Sequence, residues 1–126
     1  MDAGPRDTLS EKVIGLAIGI HRALGPGLLE AVYEQCLCHD LEEAGIPFVS
    51  QVALPVVYKS LRLEGAYRID IIVADALVLE LKAVESLTKL HEAQLLTYLR
   101  MAGITTGLLI NFNSAVLRDG IKRMRL

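Results

Sequence analysis

Arg68-Ile69-Asp70-Ile71-Ile72-Val73 and Leu77-Val78-Leu79-Glu80-Leu81-Lys82, joined by Ala74-Asp75-Ala76, form the stretch on which the reading of this chain turns. Both runs are rich in large apolar and β-branched residues, which favour strands. Strands this apolar belong in a core, where an unpaired charge is costly. Asp70, Glu80 and Lys82 therefore need a reason to be there. Side chains alternate faces along a strand, so Glu80 and Lys82 share one face. A three-residue loop, Ala74-Asp75-Ala76, pairs Asp70 directly with Glu80, whereas a two-residue loop would put them on opposite faces. The expected register is the first.

Carboxylates on adjacent strands make a hard oxygen site suited to Mg²⁺. A cation turns clustered acids from a liability into ligands. The main-chain carbonyl of Leu81 is an expected third ligand. Lys82 is expected beside such an ion, where an ammonium orients water and offsets charge building on a phosphate. The alternative for the same residues is a half-buried ion pair between Lys82 and the two acids. Glu-x-Lys by itself occurs by chance in any chain.

A chain of 126 residues suits one domain, expected over 1–126 with a loose start at 1–7. Net charge is −2 and the pI about 5.9, which argues against tight non-specific binding through phosphate neutralisation. Lys122, Arg123 and Arg125 crowd the C-terminus and offer a local basic patch, with a solvated end as the blander reading. Cys36 and Cys38 face away from each other on a helix, so no disulfide is expected, and they give no zinc spacing. A reducing, cytoplasmic setting fits. The apolar run Val13 to Ile20 is too short for a bilayer, and its flanks are not those of a secretory signal. No membrane partner is expected.

Thr8-Leu9-Ser10-Glu11 matches a capping box, followed by helical spacing at Val13, Leu16, Ala17, Ile20 and Leu24. Gly15 and Gly19 are expected to form a smooth packing face. Gly25-Pro26-Gly27 breaks the helix, and a second runs from Leu28 to Ala44 with Gly45 as its stop. Phe48 to Val52 and Leu54 to Tyr58 read as strand, and Pro55 in the second run asks for an edge or a bulge. Further strands are expected from Gly65 to Val73 and Leu77 to Ala83, then a helix from Thr88 to Ala102 closed by Gly103. Thr105 to Phe112 reads as a buried strand, with a short one after it. The order ααβββαβ defines an α/β domain. Gln94 and Tyr98 lie at i and i+4 on the third helix, at the border of its apolar stripe, one turn after His91. Gly27, Glu30 and Tyr33 fall along one side of the second helix. Glu30 favours the helix dipole and gains interest only if it points at the acidic cluster. His21 reads either as a packed or capping residue or as a functional one.

His21-x-x-Leu24-Gly25-Pro26-Gly27-Leu28-Leu29-Glu30-x-x-Tyr33 resembles the signature of the GxxExxY protein family. Arg68-Ile69-Asp70, Glu80-Leu81-Lys82-Ala83, His91-Glu92-Ala93-Gln94-Leu95-Leu96-x-Tyr98-Leu99 and Leu109-Ile110-Asn111-Phe112 fit the same family in the same order. That family is placed in the PD-(D/E)XK nuclease superfamily. The resemblance implies a restriction-endonuclease-like core, with a mixed central sheet flanked by helices. It implies that Asp70, Glu80 and Lys82 match the catalytic motif, with Ile69 where the superfamily's name has proline, and that Glu30 matches an additional helical acid. Gln94 and Tyr98 match the Gln-x-x-x-Tyr motif that positions nucleic acid or the active site, and Tyr33 and His21 are further positioning candidates. Asp70, Glu80, Leu81 and Glu30 would hold Mg²⁺ or Mn²⁺. The implied function is a metal-dependent nuclease acting on nucleic acid, DNA before RNA. A homodimer fits a domain too small to grip a duplex alone. The alternative is a non-catalytic protein-interaction or assembly module that retains the fold. Hydrolysis of another phosphate ester ranks last, since no Walker-type loop is present.

Overall fold

The computed structural model describes residues 7–126. The expected loose start lies outside the described residues except for Asp7, which caps helix α1 (Thr8–Leu24). The Asp7 carboxylate accepts from the Ser10 amide at 3.2 Å and from the Ser10 hydroxyl at 2.8 Å. This corrects the expected capping box, whose cap was Thr8. An ionised carboxylate is the stronger acceptor and also complements the positive helix end. The buried face of α1 carries Val13, Ile14, Ala17 and Ile20. Gly15 and Gly19 lie on the exposed side with open space around them, so the expected close-packing face is not theirs.

Helix α2 (Glu30–Glu43) begins later than its apolar pattern suggested. Leu28 and Leu29 stay in the turn because Tyr33 fastens it. The Tyr33 hydroxyl donates to the Gly25 carbonyl at 2.7 Å and accepts from the Leu28 amide at 3.1 Å. Its ring is fully buried and stacks on Phe112, with centroids 4.4 Å apart and planes 9° from parallel. After α2, Gly45 adopts φ +70° and the Ile46 amide returns to the Leu41 carbonyl, a glycine-dependent helix stop.

The sheet contains β1 (Phe48–Tyr58), β2 (Leu61–Val73), β3 (Leu77–Lys82), β4 (Thr106–Asn111) and β5 (Ile121–Arg125), in that spatial order. Helix α3 (Lys89–Ala102) connects β3 to β4, which pair in parallel, while every other neighbour is antiparallel. The class is α/β with a mixed sheet, as expected. A short 3₁₀ helix, Leu117–Gly120, and β5 extend the order ααβββαβ. The runs Phe48 to Val52 and Leu54 to Tyr58 form one edge strand, whose register shifts between Leu54 and Val56. Proline is tolerated there because the outer edge needs no donor and the bulge removes it from the ladder.

Helices α1 and α2 cover one face of the sheet over Ile71, Val73, Leu79, Leu81, Leu108 and Ile110. Helix α3 covers the other over Ile69, Val78 and Leu109. Strand β4 is buried throughout and β3 nearly so, the pattern of strands packed on both faces. Gly107 lets α3 sit close on β4, since a Cβ there would lie 2.9 Å from Leu95 Cδ1. Residues Leu61 to Arg68 of β2 are exposed, so the hairpin of β1 and β2 runs past the helices as a two-stranded arm. Among the described residues no helix is long and apolar enough to cross a membrane.

Tyr33→Phe keeps the stack on Phe112 and removes both hydrogen bonds of the turn. It should lower stability by about 1–2 kcal/mol, read from the urea midpoint.

Candidate active site

The loop Ala74-Asp75-Ala76 sets Val73 opposite Leu77, Ile72 opposite Val78 and Ile71 opposite Leu79. The next step along that register is Asp70 with Glu80, and there the backbone ladder stops. The side chains take over. The Asp70 amide donates to Glu80 Oε2 at 2.9 Å, and the Leu81 amide donates to Asp70 Oδ2 at 2.8 Å. Each carboxylate thus accepts the N–H that a carbonyl of the facing strand would otherwise take. Ile69 and Ile72 both belong to the α3-side core, so the period-two alternation of β2 slips at Asp70. That slip leaves Asp70 within the field of α2 as well as of Lys82.

Glu80 is only 4 % exposed, and Asp70 is half-buried. Burial is the main force pushing the Asp70 carboxyl up to about 6. The Leu81 amide works against it, the charges of Glu34 and Glu30 add to it, and Lys82 opposes it. Burial also leads for Glu80, pushed up to about 8, with the Asp70 charge next. Among the described residues, Asp70 Oδ1 and Glu80 Oε1 accept no hydrogen bond. Lys82 makes no ion pair within 4 Å among those residues, yet its charge acts on both acids. The ion-pair alternative for this triplet therefore lacks its contact.

The expected residues divide into two groups. Glu30 acts on both acids by its charge, but its carboxylate does not converge with theirs to within 4.8 Å: it opens α2, and its Oε2 accepts from the Ala83 amide at 3.2 Å, just past β3. The Leu81 carbonyl also faces the opened seam, because N–H and C=O of one strand residue point to the same side. The next carbonyl, of Lys82, turns the other way and accepts from the Phe112 amide at 2.8 Å. Gln94 and Tyr98 line a cavity of about 580 Å³ together with Lys82 and Tyr67. The Tyr98 hydroxyl is pushed up to about 12, first by burial and then by the charges of Glu80 and Asp70.

Tyr33 and His21 have other places than those expected. Tyr33 is fully buried, with its hydroxyl committed to the Gly25–Leu28 turn. A group with no exposed surface cannot touch a substrate. His21 is buried, and its Nε2 lies 2.7 Å from the Ser114 carbonyl. It lines a separate cavity with Arg22 and Leu117, and it ties α1 to the loop after β4. The C-terminal cations are also partly engaged: Arg123 lies 3.6 Å from both Asp7 and Glu11, and Lys122 lies 3.7 Å from Glu92.

Two residues were missed from sequence. Glu34, one turn after Glu30, receives the Gln51 amide nitrogen at 2.9 and 2.8 Å, and it is the foremost charge raising Asp70. Like charges at i and i+4 destabilise a helix, and that conflict was the available signal. Asn111 lies beside Lys82 in the β3–β4 register and is 2 % exposed. Its side chain accepts from the Val84 amide at 3.0 Å and donates to the Val84 carbonyl at 2.9 Å, which clamps the chain after Lys82.

Residues 7–124 match a family model described as the PD-(D/E)XK nuclease superfamily, and the chain belongs to that superfamily. No curated protein and no solved structure matches the chain. Nucleases of this superfamily typically use divalent metal ions. The acidic pair fits such an ion, because it offers hard oxygens, one of them buried without a partner among the described residues. Among the described residues, three His, Cys, Asp or Glu ligand atoms lie within 4.8 Å of one another at His39, Asp40 and Glu43 on the outside of α2. That group includes an i,i+4 contact and is largely exposed.

Both raised carboxyls bind a proton more tightly in the folded chain than in the unfolded one. The associated stability is present below the ordinary values of 3.8 and 4.5, and it is lost as pH rises through about 6 for Asp70 and about 8 for Glu80. Urea unfolding of wild type against Glu80→Gln should show the variant gaining relative stability over that window, by on the order of a few kcal/mol at its upper end. A difference that stays flat with pH would show that Glu80 ionises without penalty.

Proposed function

We propose that this chain is a metal-dependent nuclease of the GxxExxY branch, hydrolysing phosphodiester bonds in DNA with Mg²⁺ or Mn²⁺. The observation that carries the reading is the acidic pair. Asp70 and Glu80 sit at an interrupted strand seam with unpartnered oxygens, and Lys82 stands near them without pairing to either. A structural ion pair would close that gap. Asp70, Glu80, Glu30 and the Leu81 carbonyl would hold the ion, which supplies positive charge for the scissile phosphate and acidifies a bound water.

The remaining work belongs to the chain. Lys82 opens onto the 580 Å³ cavity, where its ammonium orients the attacking water and offsets charge gathering on the phosphate. The Glu34 charge raises the proton affinity of Asp70, a repulsion that a bound cation would relieve. Asn111 holds the segment after Lys82 in register. Tyr98 is held neutral, so it contributes a hydroxyl rather than another negative charge.

Calorimetric titration of Mn²⁺ should show binding in wild type and none in Asp70→Asn. Lys82→Ala should still bind the ion while losing roughly 10²- to 10⁴-fold in metal-dependent cleavage. Ion binding in neither protein, or cleavage that survives both substitutions in equally pure samples, overturns the reading.

A further inference from the structure

Tyr67 carries an exposed aromatic ring close to the acidic pair. It lies on β2 shortly before Asp70, is 46 % exposed, and makes a tilted contact with Tyr98 at 6.1 Å between centroids. Both rings line the cavity that also holds Lys82, Leu90, His91 and Gln94. Leu90 is 77 % exposed, an apolar side chain that the fold leaves in water. Nothing in the packing of β2 or α3 requires either Tyr67 or Leu90 to be apolar. Their common feature is the cavity.

The chemistry of the walls narrows what fits. At about 580 Å³ the cavity lies in the size range of small-ligand sites. Its lining has the exposed ring of Tyr67, the nearly buried ring of Tyr98 and an aliphatic group, together with amide, hydroxyl and imidazole groups from Gln94, Thr97 and His91. His91 Nδ1 accepts from the Thr88 amide at 3.0 Å, which leaves Nε2 to carry the proton of the neutral ring. One cation, Lys82, is present, and it stands at the end next to the acids. A phosphate or a polyanion would ask for several cations. A flat heteroaromatic ring with polar edges asks for this mixture.

We propose that this cavity takes an unpaired nucleobase, which makes single-stranded nucleic acid the substrate class of the site. The proposal rests on the nuclease reading: a nucleotide whose phosphate lies at Lys82 has its base beside Tyr67 and Tyr98. A base inside a duplex is stacked and paired, and it would have to be extruded before it could enter. The chain's net charge of −2 gives little general attraction for a backbone, so stacking supplies the affinity that phosphate neutralisation does not.

The chain has no tryptophan, so Tyr67→Trp installs a unique fluorophore in the cavity wall. In the Asp70→Asn background, which leaves the substrate intact, single-stranded oligothymidylate should quench that emission saturably. A duplex of equal length should bind at least about tenfold more weakly. By anisotropy, Tyr67→Ala should weaken single-strand binding roughly five- to a hundredfold. Leu90→Glu, at a more exposed position, should weaken it too, with melting temperatures unchanged in both. Equal affinity for duplex and single strand, or wild-type affinity in both variants, overturns the proposal. Cleavage of duplex that ignores Tyr67→Ala overturns it while leaving the nuclease reading standing. Single-strand binding that depends on Tyr67, without any metal-dependent cleavage, supports the base site and overturns the nuclease reading instead.

Discussion

Everything at the functional end of this protein depends on the point where β2 and β3 stop sharing backbone hydrogen bonds. Had the ladder continued, the amides of Asp70 and Leu81 would have met carbonyls. They meet carboxylates instead, at 2.9 and 2.8 Å. The exchange ties charge to strand geometry. Neither acid can swing away without orphaning an amide, and the strands cannot close without expelling the acids. Amide donors offset part of the cost of burying each carboxylate. The part not offset remains as raised proton affinity, to about 6 at Asp70 and about 8 at Glu80.

The surrounding elements hold this seam open from several sides. Tyr33 sets where α2 begins, and so where Glu30 meets the end of β3. Phe112, stacked on Tyr33, follows directly from β4, so the turn before α2 and the end of the central strands are packed as one unit. Asn111 clamps the opposite side of Lys82. Gln51, Ala74 and Asp75 adopt positive φ although none is glycine. Gln51 is the residue that grips Glu34, and Ala74-Asp75 belong to the loop that sets the register. Such conformations persist where the surrounding structure over-determines them, as at a site that must be held in shape.

The locking side chains and the open cavity lie on opposite faces of the sheet. The α1 and α2 side contains the larger continuous core and the side chains that lock it, Tyr33 and His21. The α3 side leaves an open cavity beside Lys82. The long hairpin of β1 and β2 carries Tyr67 to that cavity from outside the helical cover.

The sequence by itself determined the class of fold and the strand pair, because these follow from local rules, and it left two registers for that pair. Side chains alternate with period two, and a three-residue loop leaves one register open to Asp70 and Glu80. The candidate site residues were legible mainly through the resemblance, which picked them out by sequence motif. Tertiary structure alone decided the rest, where a residue's role depends on a partner distant in sequence. Tyr33 and His21 carry groups that suit catalysis, yet their partners are a turn carbonyl and the carbonyl of Ser114, the latter 93 positions away. Glu34 and Asn111 look ordinary in the chain and take their meaning from Gln51 and Val84, 17 and 27 positions away. The capping of α1 shows the same limit at short range, where Asp7 displaced Thr8 because the stronger acceptor stood one residue earlier. Periodicity reports which face a side chain takes, and only the packed chain reports what that face meets.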